Sequence, residues 1–369
     1  MTGFSVIDNK YLVEEEGWEW YSPEQFYPVR IGEVFNSQYQ VVGKLGYGAY
    51  ATVWLCRDLL KHRHVAVKIG TYDALSKELS VLKYLSTIRT KHAGATLVRR
   101  MLDEFQVTRD NKKYQAIVHL PMAATLGGFR NMLSKKKLPD VLLKPLLQYL
   151  LIALDFLHSE AKVVHTDIQE KNILLGLDEK SAEADLEKFE EEEMKHPSPR
   201  KIDGDKIIYG SRRLVPPVYN YGQPVLCDLG EARFGDYDPM IDIQPYQYRA
   251  PEIWDLFENR NLFNTRGGPE NKQDNIYHLA HMVALLGPPP REFLERSKTG
   301  RPWQWFDRDG NWKGAAEIPD TSFEHAEQNL KGEDKTQFLK FVRRMLKWKP
   351  EERETAKELL KDPWLTTSN

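Results

Sequence analysis

The strongest constraint on the fold is the order of four short motifs, each placed beside or at the end of a strand-like run. The first is Gly46-Tyr47-Gly48-Ala49-Tyr50-Ala51-Thr52-Val53, set between YQVVGKLG and ATVWLCRDL. Glycines in such a turn let backbone N–H groups come close to phosphate oxygens. The second is Val65-Ala66-Val67-Lys68, which puts a lysine near a strand end where it can hold phosphates, with Glu78 further on as an ion-pair partner. The third is His165-Thr166-Asp167-Ile168-Gln169-Glu170-Lys171-Asn172, after the strand-like Lys162-Val163-Val164. Asp167 is placed to orient a hydroxyl and accept its proton, and Asn172 can ligate a metal ion. The fourth is Asp228-Leu229-Gly230, closing Pro224-Val225-Leu226-Cys227. A strand-terminal carboxylate backed by a permissive glycine suits Mg²⁺ bridging phosphate oxygens. Each motif alone is weak, since a lone Gly-x-Gly is as readily a hairpin turn and a lone lysine a surface charge. Their joint order is what carries the inference.

The segments between the motifs agree with this placement. Residues 39–69 read as a strand meander, rich in β-branched and aromatic residues with glycine breaks. ALSKELSVLKYLSTI follows, with Leu75, Leu79, Leu82 and Leu85 at helical spacing. QVTRDNKKYQAIVHL reads as two strands turning at Asp110-Asn111, and KPLLQYLLIALDFLHSE as a long apolar helix. Residues 1–38 form an aromatic-rich arm expected to cover a domain surface. Residues 176–213 contain LEKFEEEEMKHPSPRK, a charged run with few apolar anchors, expected to be a solvated and largely disordered loop. Ser198, in a Pro-Ser-Pro context, is a candidate regulatory position within it.

Composition narrows the function classes. A net charge of −2 gives no electrostatic case for direct nucleic-acid binding. No uninterrupted apolar run of about 18 residues is present, so no membrane span is expected. The acidic N-terminus lacks an apolar core, so no secretory leader is expected. Cys56 and Cys227, far apart in the chain, do not form a disulfide framework and fit a reducing compartment.

With Ala250-Pro251-Glu252 and its candidate partner Arg353, the motif set matches the pattern of eukaryotic protein kinases over about residues 39–365. Within that group the chain resembles the SR-protein kinases. Tyr27-Pro28-Val29-Arg30-Ile31-Gly32-Glu33-Val34-Phe35-Asn36 looks like their lead-in to the first strand. Thr166 stands where most kinases carry Arg, and Leu229 where most carry Phe. His278 to Gly287 is similar to one of their helices. The resemblance implies an α+β fold of two lobes, a small β-rich one and a larger helical one. The expected organisation is an arm at 1–38, an N-lobe at 39–122, a C-lobe at 123–365 with the insert at 176–213, and a tail at 366–369.

It also implies a protein serine/threonine kinase that uses ATP and Mg²⁺ on Arg/Ser-rich protein substrates, working as a monomer in the cytoplasm or nucleus. Lys68, Glu78 and Asp167 are the implied catalytic residues. Leu45, Gly46, Gly48, Val53, Ala66, Lys68, Leu120 and Met122 would form the ATP site, Leu120 to Met122 bonding the adenine and Ala66 packing on its ring, with His119 at the gate. Asn172 and Asp228 would hold the metal.

Two features depart from the pattern. Gln169 stands where the catalytic-loop lysine is usual, removing a charge that supports the transferred phosphoryl. The chain after Glu252 is short, so the central C-lobe helix loses part of its length and the Asp that braces the catalytic loop. These departures favour, as the alternative reading, a catalytically impaired scaffold; a shortened helix that loses a buried face would also lower stability.

Overall fold

In the computed structural model the described residues are 3–367, apart from 135, 205, 215–220, 235–253, 255–261, 264–265, 268–271, 274 and 298–299. They group into two compact units. The first comprises Met1–Lys91, Thr96–Leu126 and Ile173–Ala232; the second comprises His92–Ala95, Gly127–Asn172 and Arg233–Asn369.

The first unit is built on an antiparallel sheet. Its strands are β1 (Val34–Phe35), β2 (Tyr39–Gly48), β3 (Ala51–Asp58), β4 (Arg63–Gly70), β5 (Asp103–Arg109) and β6 (Lys112–His119). They lie in the order β1-β2-β3-β4-β6-β5. Asp110 and Asn111 both have positive φ, as a tight β5–β6 hairpin turn requires. One face buries Tyr39, Trp54, Val65, Val67, Tyr114 and Val118 among other apolar side chains. Helix α1 (Ser76–Thr87) follows β4 and buries Leu79, Val81 and Leu82 together with Glu78. β7 (Ala124–Thr125) belongs to a second sheet, described below.

The N-terminal arm is part of this unit. Tyr27 and Ile31 pack on the sheet's apolar cluster, and Val6 bridges Arg200 in parallel.

The insert corrects the sequence expectation. Strand β9 (Ile173–Leu177) leads into it, and it forms helix α4 (Ala182–Lys195), followed by β10 (Arg200–Asp203) and β11 (Lys206–Tyr209), which pair as a hairpin. Leu186 and Phe189 bury against Val42, Leu55 and Leu214. Gly43 of β2 makes room for the Phe189 ring, whose nearest atom would lie 3.1 Å from a Cβ there. Glu190 and Glu193 continue the same helical face. Glu190 accepts from Arg57 at 2.8 Å and bonds His64 at 3.0 Å, while Glu193 accepts from Arg212 at 2.7 Å. A charged run orders here because the acids on its inner face meet basic partners. Ser198 is buried at 4 % exposure. Its hydroxyl donates to Glu193 at 2.7 Å, so the candidate regulatory serine is closed to a modifying enzyme in this conformation. The expected organisation assigns the insert to the second lobe; by contacts, Ile173–Ala232 groups with the first unit. The cause is pairing: β12 (Tyr221–Leu226) lies beside β9, which lies beside β7.

The second unit is mainly helical. Helix α2 (Leu126–Met132) begins at the last residue of the first unit, and α3 (Asp140–Asp155) continues as one π-turn, Phe156–Glu160. Val141–Glu160 is long and apolar enough, by length and composition, to cross a membrane. Here its apolarity serves a core, since Leu143, Leu147, Leu151, Phe156 and Leu157 are buried, and Gln148 donates to the Leu365 carbonyl at 3.0 Å. Val163–Val164 (β8) pairs with Arg233–Phe234 (β13). Helix α5 (Asn275–Leu286) carries Val283, which clusters with Leu294, Phe306 and Trp348. Helix α6 (Gly332–Met345) buries Phe338, Leu339, Phe341 and Val342.

The Ala250-Pro251-Glu252 motif and most of the shortened stretch after it lie outside the described residues. Trp254 is described, and is fully buried beside Phe323 and Phe338. Arg353 donates to the Lys347 carbonyl at 2.8 Å.

Candidate active site

In the first unit the β2–β3 turn presents Gly46 and Gly48, paired with Val53 and Ala51 across the hairpin. A Cβ on Gly46 would meet no protein atom within 4 Å. The protein's own packing does not demand glycine there, and the open space beyond is available to a ligand. Val53 pairs with Lys68 of β4. Leu45 is half-buried and leans on the apolar cluster under α4, so part of its surface is committed to the insert.

Lys68 Nζ donates to Glu78 Oε2 at 2.6 Å and lies 3.6 Å from Asp228 Oδ1. Burial opposes the lysine charge, but the two carboxylates outweigh it and hold its pKa above the usual lysine value. Glu78 is 5 % exposed, which an unpaired carboxylate would not tolerate. Asp228 adopts a left-handed backbone, φ 62, two residues after the end of β12. Such a conformation costs about 1–2 kcal/mol for a non-glycine residue, and residues held that way concentrate at functional positions. The three residues form one charged group fixed by a strand, a helix and a strand end.

Ala66 is buried and pairs with His119 at the end of β6. Leu120 is exposed and Met122 half-buried just beyond. His119 Nδ1 bonds the Arg100 carbonyl at 2.8 Å, so that nitrogen carries the proton. Burial, reinforced by the charge of Arg99, holds the ring's pKa well below the histidine range and keeps it neutral.

In the second unit the catalytic-loop motif is almost wholly buried: His165, Thr166, Asp167, Gln169 and Asn172 are each below 9 % exposure. Gln169 Nε2 donates to Asp167 Oδ1 at 2.6 Å, and Asn172 Nδ2 donates to Asp167 Oδ2 and to its carbonyl, both at 2.8 Å. The Asp167 N–H donates to His165 Nδ1 at 3.2 Å. Asp167 is therefore fixed on both oxygens by neutral amides, and Asn172 keeps its amide oxygen for another partner. Lys171 is exposed.

Two arrangements escape the sequence reading. Arg130 of α2 grips Glu170 through Nε at 2.7 Å and Nη2 at 2.8 Å, clamping the middle of the loop. The available signal is the glutamate itself, a charge inside a catalytic loop that must find a cation. The other is Arg99, which follows a strand-like Leu97-Val98 and reads as surface charge; its Nη2 donates to the Leu120 carbonyl at 3.4 Å.

Among the described residues no cluster of three or more His, Cys, Asp or Glu side chains is placed to hold a metal by itself. In the first unit Asp228 offers carboxylate oxygens, and in the second Asn172 offers an amide oxygen; both are hard oxygen donors of the kind Mg²⁺ takes.

The protein kinase domain profile matches residues 39–186. A serine/threonine protein kinase of Aspergillus fumigatus is 42% identical over 99% of this chain and 93% of its own length. The serine/threonine-protein kinase SRPK of Physarum polycephalum is 28% identical over 95% of this chain and 91% of its own. Mouse SRSF protein kinase 3 is 32% identical over 44% of this chain and 30% of its own. Among solved structures, the PF14_0431 kinase domain superposes with a TM-score of 0.65 at 19% identity, covering 92% of this chain and 99% of that one, a likeness of fold. The chain belongs to the protein kinase family, with serine/threonine kinases and SR-protein kinases among its relatives. Membership implies ATP as phosphoryl donor, usually with Mg²⁺.

Proposed function

We propose that this serine/threonine kinase phosphorylates serines in Arg/Ser-rich protein segments, using Mg-ATP bound by the residues named above. The observation that carries the catalytic reading is the Asp167 carboxylate, buried and held on both oxygens by Gln169 and Asn172. A carboxylate so fixed orients an incoming hydroxyl and takes its proton. Mg-ATP, when bound, supplies the phosphoryl group and the metal's charge. Lys68, kept charged and aimed by Glu78, holds the phosphates under Gly46 and Gly48. Leu45, Val53 and Ala66 bound the base, and the backbone of Leu120 to Met122 bonds its edge. Asp228 and the amide oxygen of Asn172 would be the metal ligands, the metal supplying charge to the phosphates. Catalysis of this kind is positioning plus electrostatic stabilisation.

The substrate class rests on the relatives named SRPK and SRSF protein kinase, and on the Thr166 and Leu229 departures this chain shares with that family's pattern. Two buried free cysteines suit a reducing compartment, in keeping with a protein of the cytoplasm, the nucleus or both. Initial rates on equal-length Arg/Ser, Lys/Ser and Ala/Ser repeat peptides test the substrate. The Arg/Ser repeat should be preferred at least about tenfold over Lys/Ser, because arginine's planar fork is not matched by lysine. Equal rates on all three would contradict the substrate class.

One observation favours a second reading. Gln169 supplies no cation, and its amide occupies an oxygen of Asp167. A scaffold that binds nucleotide without transferring phosphate is the form the protein takes if that loss is decisive.

A further inference from the structure

Arg99 occupies a position where its charge needs explanation. Val98 bridges Leu226, and the Arg99 N–H donates to the Leu226 carbonyl at 2.8 Å, so the residue is pinned beside the end of β12. Its half-buried side chain turns towards the end of β6, where Nη2 makes a long bond, 3.4 Å, to the Leu120 carbonyl. The same guanidinium lies in the field of Cys227, Glu78 and Asp228. Its charge also reaches His119. One cation thus links the residue before Asp228, the gate histidine and the first carbonyl of the segment read above as base-binding.

Its donors outnumber its acceptors. A guanidinium carries five N–H bonds and no acceptor. The Arg99 Nε is buried without a hydrogen-bond partner among the described residues. A buried donor left unmatched is costly, about 1–3 kcal/mol. That atom is enclosed; the donors a ligand can meet are the Nη groups beside the exposed Leu120 carbonyl.

The backbone carbonyl of Leu120 by itself selects a base with a donor at C6, the amino group of adenine. With Arg99 donating to that carbonyl and holding further N–H groups beside it, the same edge offers donors as well. A base with a carbonyl at C6 supplies the acceptor they lack. We propose that Arg99 opens the base pocket to 6-oxopurine nucleotides, so that inosine and guanosine triphosphates bind alongside ATP. The proposal rests on the nucleotide-binding reading above and adds the class of base.

The test is calorimetric titration of the full chain with ATP, ITP and GTP in Mg²⁺, with Arg99→Leu and Arg99→Lys beside the wild type. ITP isolates the C6 carbonyl from the 2-amino group. The wild type should bind ITP and GTP within about tenfold of ATP. Arg99→Leu should lower ITP affinity relative to ATP by about tenfold or more, the scale of one hydrogen bond to a charged group. Arg99→Lys should fall between them. A wild type that binds ATP and rejects both oxopurines overturns the proposal and leaves the ATP reading intact. So does an Arg99→Leu protein with an unchanged ITP-to-ATP ratio. Folded wild type that binds no nucleotide removes both readings together. If Arg99→Leu fails to fold, the wild-type ratio alone decides.

Discussion

Lys44, a fully buried residue of β2, donates its Nζ to Glu15 of the N-terminal arm at 2.5 Å. The Tyr209 carbonyl accepts a second bond at 3.1 Å. The arm therefore neutralises a charge inside the sheet that carries the glycine turn. Glu15→Ala would leave that ammonium buried without its closest carboxylate, a loss of about 3–5 kcal/mol. Urea denaturation should show it as a lower midpoint with an unchanged slope. Glu15→Met with Lys44→Met, which removes both charges and keeps volume, should recover most of the loss.

His119 makes stability depend on pH. The folded chain holds the ring neutral, with its pKa well below the histidine range, while the unfolded chain takes up a proton near pH 6.5. As pH falls below about 6.5 the unfolded state alone gains a proton, so stability drops by up to about 1.4 kcal/mol per pH unit. Above that pH the contribution is complete. His119→Met should flatten the profile between about pH 6.5 and 5, ahead of the carboxylate titrations. Denaturant midpoints across that window check it; His158, also held low by burial, leaves a residual slope in the variant.

The docking of α4 is separable from the rest. Phe189→Ala removes a ring seated against Gly43 and should cost about 3–5 kcal/mol. Hydrogen exchange should rise over residues 182–195 and 200–209 before it rises in β3 and β4.

The motif residues were legible because each lies in a short contiguous run whose neighbours set its backbone. Lys68 sits on a strand of Val, Ala and Ile, and Glu78 on a helix with clear leucine spacing, so their 2.6 Å pair follows from two local readings. The helix at 182–195 was not legible in the same way. Its inner face runs Leu186, Phe189, Glu190, Glu193, and the last two count as buried only when Arg57, His64 and Arg212 are known to face them. Glu15 with Lys44 and Arg99 with Leu120 are likewise long-range pairings between charges that read locally as solvated. Hydrophobic period reports faces; it does not report which distant charge a face will meet.

Gln169 is expected to set the level of activity, because it places an amide where a cation would stabilise the transferred phosphoryl. Restoring the positive charge with Gln169→Lys should raise turnover by at least about tenfold, below the 10²–10³ of a fully preorganised stabilising group. Nucleotide affinity should change little, since Lys68 and Glu78 are untouched. Single-turnover rates with separate binding titrations would show this split.

The most direct measurement is transfer of radiolabelled phosphate from Mg-ATP to an Arg/Ser-repeat peptide, with Asp167→Ala as control. Transfer by the wild type that falls to background in the control is the expected result, and it would establish that Gln169 tolerates catalysis. No transfer from wild-type protein that melts cooperatively and binds ATP would contradict the catalytic account, and leave a chain that uses its kinase fold to bind nucleotide alone.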